Sequence, residues 1–210
     1  LSRYFRAVRP KRVVATAAAA LLVVGAAGCD AANTNTPGRL GMTPTTSAVI
    51  EPQKADSTDY SRLLVTADDI SVPPQVFTTA SSKVNPNGLS GASALFVNDD
   101  DTQAVAATLL IYPDAATATA TLHQAVASVG NLVAGGTPRA SSVGTGGTAI
   151  TGQSPDGTKA VTMLLFTEGP ALMRLEFDSA PGQPADEQFV TYVGKMQDVA
   201  LRVGLDEDSA

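Results

Sequence analysis

The chain is poor in the residues from which most active sites are built. Its 210 residues include one cysteine, one histidine and no tryptophan. A single cysteine excludes an internal disulfide framework and a cysteine-rich zinc site. The single histidine, His123, lies in a helical stretch with no cysteine or carboxylate beside it. Neither a histidine metal centre nor a nucleophilic triad gathers around such a residue, because both need several partners. Basic residues are also scarce: 14 Lys and Arg stand against 20 Asp and Glu, a formal charge of −6. That balance argues against a nucleic-acid binder, which needs a basic face to neutralise phosphates. Hydrophobic residues make up 44% of the chain and charged ones 16%. This composition supports a folded core and excludes wholesale disorder.

What is present begins at the N-terminus. Arg3, Arg6, Arg9, Lys11 and Arg12 form a basic stretch, and residues 13–27 follow without a charge. A positive segment before an apolar one is the layout of an export signal. The apolar run, residues 13 to 27, is shorter than the ~20 residues a spanning helix needs, which counts against a single-pass anchor. The run closes on Ala26-Ala27-Gly28-Cys29. These residues resemble the lipobox of bacterial lipoproteins, with Ala26 where Leu or Val is usual. The resemblance implies that Cys29 receives a diacylglycerol, that residues 1–28 are removed, and that the new amine is acylated by a palmitate-type chain. Cleavage by the general signal peptidase, or none, is the alternative. Each buried CH₂ of an acyl chain contributes roughly 0.8 kcal/mol, so more than one chain holds a protein firmly at the outer face of the cell membrane. Loss of the leader leaves 9 basic against 20 acidic residues, a charge of −11. A body this acidic stands off anionic lipid.

Residues 29–57 are rich in Thr, Pro, Ala, Asn and Gly without apolar periodicity, the composition of a flexible spacer. Residues 58–205 are one domain's worth, and residues 206–210 form an acidic tail. Within the domain, residues 60–65 read as an extended segment, and Thr66 to Asp69 as a capped turn. Residues 81–91 read as loop. Strands are expected at 92–97 and 103–112, with a turn at Asn98 to Thr102 between them. A helix is expected from Pro113-Asp114 to about Val129. Strands follow at 148–152, 159–167 and 171–178. A second helix is expected from Pro184 to about Val203, its buried stripe marked by Phe189, Val193, Met196, Ala200 and Val203 and its end by Gly204. The expected fold is α+β: an antiparallel sheet of about five to six strands with two helices packed on one face.

Residues 171–178 alternate, with Ala171, Met173, Leu175 and Phe177 on one side and Leu172, Arg174, Glu176 and Asp178 on the other. The strands at 104–112 and 160–166 are apolar on both sides and must be covered on both. If the two helices cover one face, the other needs residues 60–90, a protein partner or an apolar ligand. A ligand groove there would be lined by Leu110, Tyr112, Leu164 and Phe166. Other motifs carry less. Asp99-Asp100-Asp101 lacks the alternate acids and the glycine of a calcium loop. Gly144-Thr145-Gly146-Gly147 precedes a strand and lacks the lysine of a phosphate loop, so it reads as a flexible connection. Nothing in the spacing pairs Glu168 with Asp186 as acid and base.

The basic leader, Ala26–Cys29, the Thr/Pro spacer and a small Ala/Val/Gly-rich domain together resemble the exported lipoproteins of mycobacteria and related actinobacteria. The expectation is a non-enzymatic envelope protein that binds or senses an apolar, lipid-like ligand; the alternative is an interaction subunit of an envelope complex. No metal, cofactor or nucleic acid is expected. Metabolic labelling with an alkyne fatty acid is expected to mark the wild-type protein and not Cys29→Ala. Wild-type protein recovered with a free thiol and its leader attached would overturn the assignment.

Overall fold

A computed structural model describes residues 57–207. The expected signal, Cys29 and all but the last residue of the spacer lie outside the described residues. The element order is α1 (Ala67–Ile70), β1 (Phe77–Val84), β2 (Gly91–Asn98), β3 (Ala104–Ile111), α2 (Ala115–Ser128), β4 (Arg139–Ala140), β5 (Thr145–Gln153), β6 (Ala160–Glu168), β7 (Ala171–Ser179) and α3 (Glu187–Glu207). Among the described residues seven strands form one antiparallel sheet in the order β1-β2-β3-β7-β6-β5-β4. The α+β class is as expected, and the strand count exceeds the five to six read from the sequence.

The two additional strands are the edges. Of β1 only Phe77 is buried, so no apolar alternation announces it, and part of it falls in the stretch read as loop. The other edge, β4, has two residues, both exposed. The Gly-rich run at 144–147 is the start of β5 rather than a free connection. A Cβ on Gly147 would lie 2.2 Å from the Val143 carbonyl oxygen, so close backbone approach requires glycine there.

Turns follow local chemistry. Asn98 accepts from the backbone N–H groups of Thr102 and Gln103, both at 2.9 Å, and closes the β2–β3 hairpin. Asp99, Asp100 and Asp101 are exposed at its tip. Thr66 and Asp69 form a reciprocal capping box on α1. Asp114 caps α2 by accepting from Thr117 N–H at 2.7 Å. Residues 61–63, expected as extended chain, instead form one 3₁₀ turn.

The helices lie on opposite faces of the sheet, not on one as expected. On the first face, Ala118 and Leu122 of α2 pack with Val161, Met163, Leu165 and Leu172. On the second, Val190, Val193 and Leu201 of α3 pack with Leu164, Phe166, Met173, Leu175 and Phe177, joined by Leu63, Leu64 and Ile70. The segment before β1 therefore shares the face of α3. The reason is β6, buried along nearly its whole length and apolar on both sides. A strand of that kind needs cover above and below.

Two details of α3 differ from the sequence reading. Val203 is 56% exposed, and the buried line runs through Val190, Val193, Gln197 and Leu201. Gly204 does not end the helix, which continues to Glu207. Its place is set by packing: a Cβ there would lie 2.2 Å from Leu63 Cδ2. Gln197, fully buried, fastens the same segment. Its Oε1 accepts from Val65 N–H at 3.0 Å, and its Nε2 donates to the Leu63 carbonyl at 2.6 Å.

Gln197→Ala strands both backbone groups in the core. The expected loss is about 2–4 kcal/mol in urea unfolding, since each unsatisfied buried group costs about 1–3 kcal/mol. A loss below about 1 kcal/mol would show that the segment before β1 is not held by this side chain.

Candidate functional site

The helix α2 touches β5, β6 and β7. The half of its face made by β1, β2 and β3 is a groove of about 330 Å³ that begins at the charged side of β7. Its floor is made of small side chains: Ser93, Ala104, Ala106 and Thr108, with Leu95 among them. The floor is low because this run of β3 is Ala-Val-Ala-Ala-Thr, which places only alanine and threonine on this face.

Strand pairing fixes what stands opposite what. Arg174 pairs with Thr108, Thr108 with Ser93, and Ser93 with Lys83. The next row is Glu176, Ala106, Leu95 and Ser81, and the third runs from Asp178 through Ala104 and Val97 to Thr78. The wall of the groove is thus the charged side of β7. Arg174 Nη2 lies 3.2 Å from Glu176 Oε2, with side chains 19% and 25% exposed. Lys159 Nζ donates to Asp178 Oδ2 at 2.7 Å, with side chains 16% and 18% exposed.

Lys159 is placed by the β5–β6 hairpin. Asp156 in that turn accepts from the Ser154 and Thr158 hydroxyls and from Thr158 N–H, and these bonds lower its carboxyl to about 2. Ser154 Oγ in turn accepts from Lys159 N–H at 3.1 Å. Asp178 Oδ1 is buried and meets no protein donor among the described residues. Burial is the main cause that raises the Glu176 carboxyl above its ordinary range; Arg174 opposes the rise and Asp178 adds to it.

The four residues expected to line an apolar groove do not meet. Leu110 and Tyr112 are buried on the face of α2, and Leu164 and Phe166 on the face of α3. All four are core, at 8%, 3%, 0% and 0% exposure. Burial raises the Tyr112 hydroxyl, and Thr121 opposes the rise. His123 is exposed on α2. Glu168 neighbours Asp198 and Arg202, while Asp186 caps the start of α3. Among the described residues no cluster of three or more His, Cys, Asp or Glu is arranged to hold a metal ion. The alternation of residues 171–178 points to Arg174, Glu176 and Asp178. Lys83, Ser93 and Thr108 carry no such signal, because only strand pairing brings them to the groove.

A second cleft, of about 770 Å³, lies between residues 135–142 and the start of α3. Its hydroxyl-lined wall includes Thr137, Ser142 and Thr151, all exposed. It removes few polar groups from water. The smaller groove is lined by three charged side chains, Arg174, Glu176 and Asp178, each at least three-quarters buried, and it is the better candidate.

No protein-family model matches the chain, and no curated protein does. Among solved structures it is similar to the extracellular domain of PknH from Mycobacterium tuberculosis, with 12% identity over 72% of this chain and all of that one and a TM-score of 0.45. A likeness of that degree assigns no function. Among the described residues no helix is long and apolar enough to cross a membrane.

Because Glu176 holds its proton more tightly when folded, its contribution is fully present below the ordinary glutamate value of 4.5 and is lost as pH rises through the raised folded value. Urea midpoints measured from pH 4 upward should fall across that window for wild type relative to Glu176→Gln. Parallel profiles for the two proteins would show that the carboxyl is not held in the raised state.

Proposed function

We propose that the chain is a lipid-anchored envelope protein whose folded domain recognises a small ligand in the groove beside β7, without chemistry upon it. The observation that carries this reading is the set of charges on a central strand. Arg174, Glu176 and Asp178 stand on β7, the fourth strand of seven. Packing alone favours apolar residues at such a place, since exchanging a buried ion pair for well-packed hydrophobic side chains is often neutral or stabilising by about 1–4 kcal/mol. Stability alone is thus weak ground for them, and partly buried charges beside a groove support recognition. Each carboxylate is tied to a cation, which favours binding over acid–base catalysis. The leader and Cys29 support the envelope location. The apolar-ligand reading changes in two respects: the groove replaces the four core residues, and its charged wall does not suit a wholly apolar ligand.

The alternative, an interaction subunit, draws support from β1, whose residues Thr78 to Val84 are exposed along the edge of the sheet among the described residues. Such an edge accepts a partner strand.

Native mass spectrometry of protein purified from its source distinguishes the two. The groove reading expects a small-molecule adduct on wild type that is lost in Asp178→Asn, with folding of the variant checked by circular dichroism. A protein adduct with no small molecule would favour docking and remove the groove reading.

A further inference from the structure

We infer that the cleft between residues 135–142 and the start of α3 is a second binding site, and that it takes a neutral saccharide. The cleft lies on the face of α3, across the sheet from the groove beside β7, and the inference does not rest on that groove.

Register and helical spacing fix its two walls. On the sheet, Arg139 pairs with Ala149, and Ala149 with Leu164. Ala149 and Leu164 pack in the cluster under α3, so Arg139 stands on the same side. The neighbouring row is Thr151 and Thr162, whose hydroxyls are hydrogen-bonded at 3.1 Å. On the helix, Glu187, Val190 and Thr191 are spaced i, i+3 and i+4 and share one side. The walls meet at their base, because Ala149 of the sheet and Ala185 and Val190 of the helix side belong to one packed cluster. Above that base the walls bound a space of about 770 Å³.

The polar groups on the walls are not spent on one another. Thr137, Arg139, Ser142, Glu187 and Thr191 line the cleft and make no side-chain hydrogen bond or ion pair among the described residues. One cation and one carboxylate leave the lining without net charge, which favours neither an anion nor a cation. Arginine only donates, a carboxylate only accepts, and a hydroxyl does both. A ligand that satisfies such a set donates and accepts from closely spaced groups, as the hydroxyls of a saccharide do. The apolar base of Ala149, Ala185 and Val190 suits the C–H face of a sugar ring. The volume falls within the ~300–1,000 Å³ of small-molecule sites, room for a disaccharide. No aromatic ring is among the lining residues, so the site lacks a stacking platform and its affinity is low.

The test titrates the full chain in detergent with three neutral disaccharides, cellobiose, maltose and lactose, and with the zwitterionic dipeptide alanylalanine. Each is taken to about 100 mM, enough to saturate a site of millimolar affinity. Amide shifts in NMR spectra locate binding. At least one disaccharide should move the amides of Thr151 and Thr191, one on each wall, and leave Ser93 and Thr108 on the other face unmoved. Arg139→Gln and Glu187→Gln should each weaken that binding about two- to tenfold, the net worth of one hydrogen bond. Both residues are exposed, so their replacement leaves the core intact, and Thr191→Val gives a further reading on the helix wall without any change of charge. Shifts on these walls with alanylalanine and none with the disaccharides would overturn the inference. So would the absence of shifts with every probe, or binding unchanged in all three variants. Each of these results leaves the groove beside β7 untouched.

Discussion

A strand that is apolar on both sides dictates this architecture. Ala160 to Thr167 of β6 are all buried, and neither side of such a strand can face water at low cost. One helix must lie above it and one below. Leu122 of α2 meets Met163 and Leu165 on one side, and Val190 and Val193 of α3 meet Leu164 and Phe166 on the other. With one long helix committed to each face, neither face is fully covered by helix alone. On the side of α3 the segment before β1 completes the cover, pinned by Gln197 and by the close fit of Leu63 on Gly204. On the side of α2 the added cover is only the short stretch after it, through Val129, Leu132 and Val133, with Leu89, and the sheet beyond is surfaced largely by alanine, serine, threonine and charge.

The groove is therefore a consequence of how the cover is divided. Where α2 lies, the residues beneath are Met, Leu and Val; where it does not, they are mostly small or charged, with Leu95 among them. The change occurs along β7 itself. Leu172 belongs to the cluster under α2, and Arg174, Glu176 and Asp178 on the same side belong to the groove. Partial burial gives these charges their character. They are shielded enough for the Glu176 carboxyl to be raised and for each cation to be held close to an acid, yet they border a space that a ligand can enter. Charges in this intermediate setting are less screened than surface ones, and they remain accessible.

Several elements were legible without the fold. The alternation of residues 171–178 gave the correct division of β7, because a half-wet strand writes its two faces into the sequence with period two. The two-sided apolar pattern of residues 160–166 correctly required cover on both faces. The helices were readable in outline, as the cap Asp114 shows, though of the stripe read on α3 only Val193 is buried. Hidden elements had physical reasons for being hidden. The strand β1 buries only Phe77, so an edge of this kind has no buried periodicity to display. Gly204 inside α3 looked like a helix stop because its packing role depends on Leu63, more than a hundred residues away.

The sequence alone determined the local half of the problem: the two long helices and the central strands, which side of β7 is wet, and, through the basic leader and Cys29, the expected address. It determined these because hydrogen-bonded repeats and capping act over a few residues. Tertiary structure decided which faces the helices occupy, and so placed Leu110 and Tyr112 on one side of the sheet and Leu164 and Phe166 on the other. It also decided which side chains meet. Lys83 and Arg174 share a row only through three successive strand pairings, and no spacing along the chain encodes a neighbour set by hydrogen bonds between distant strands.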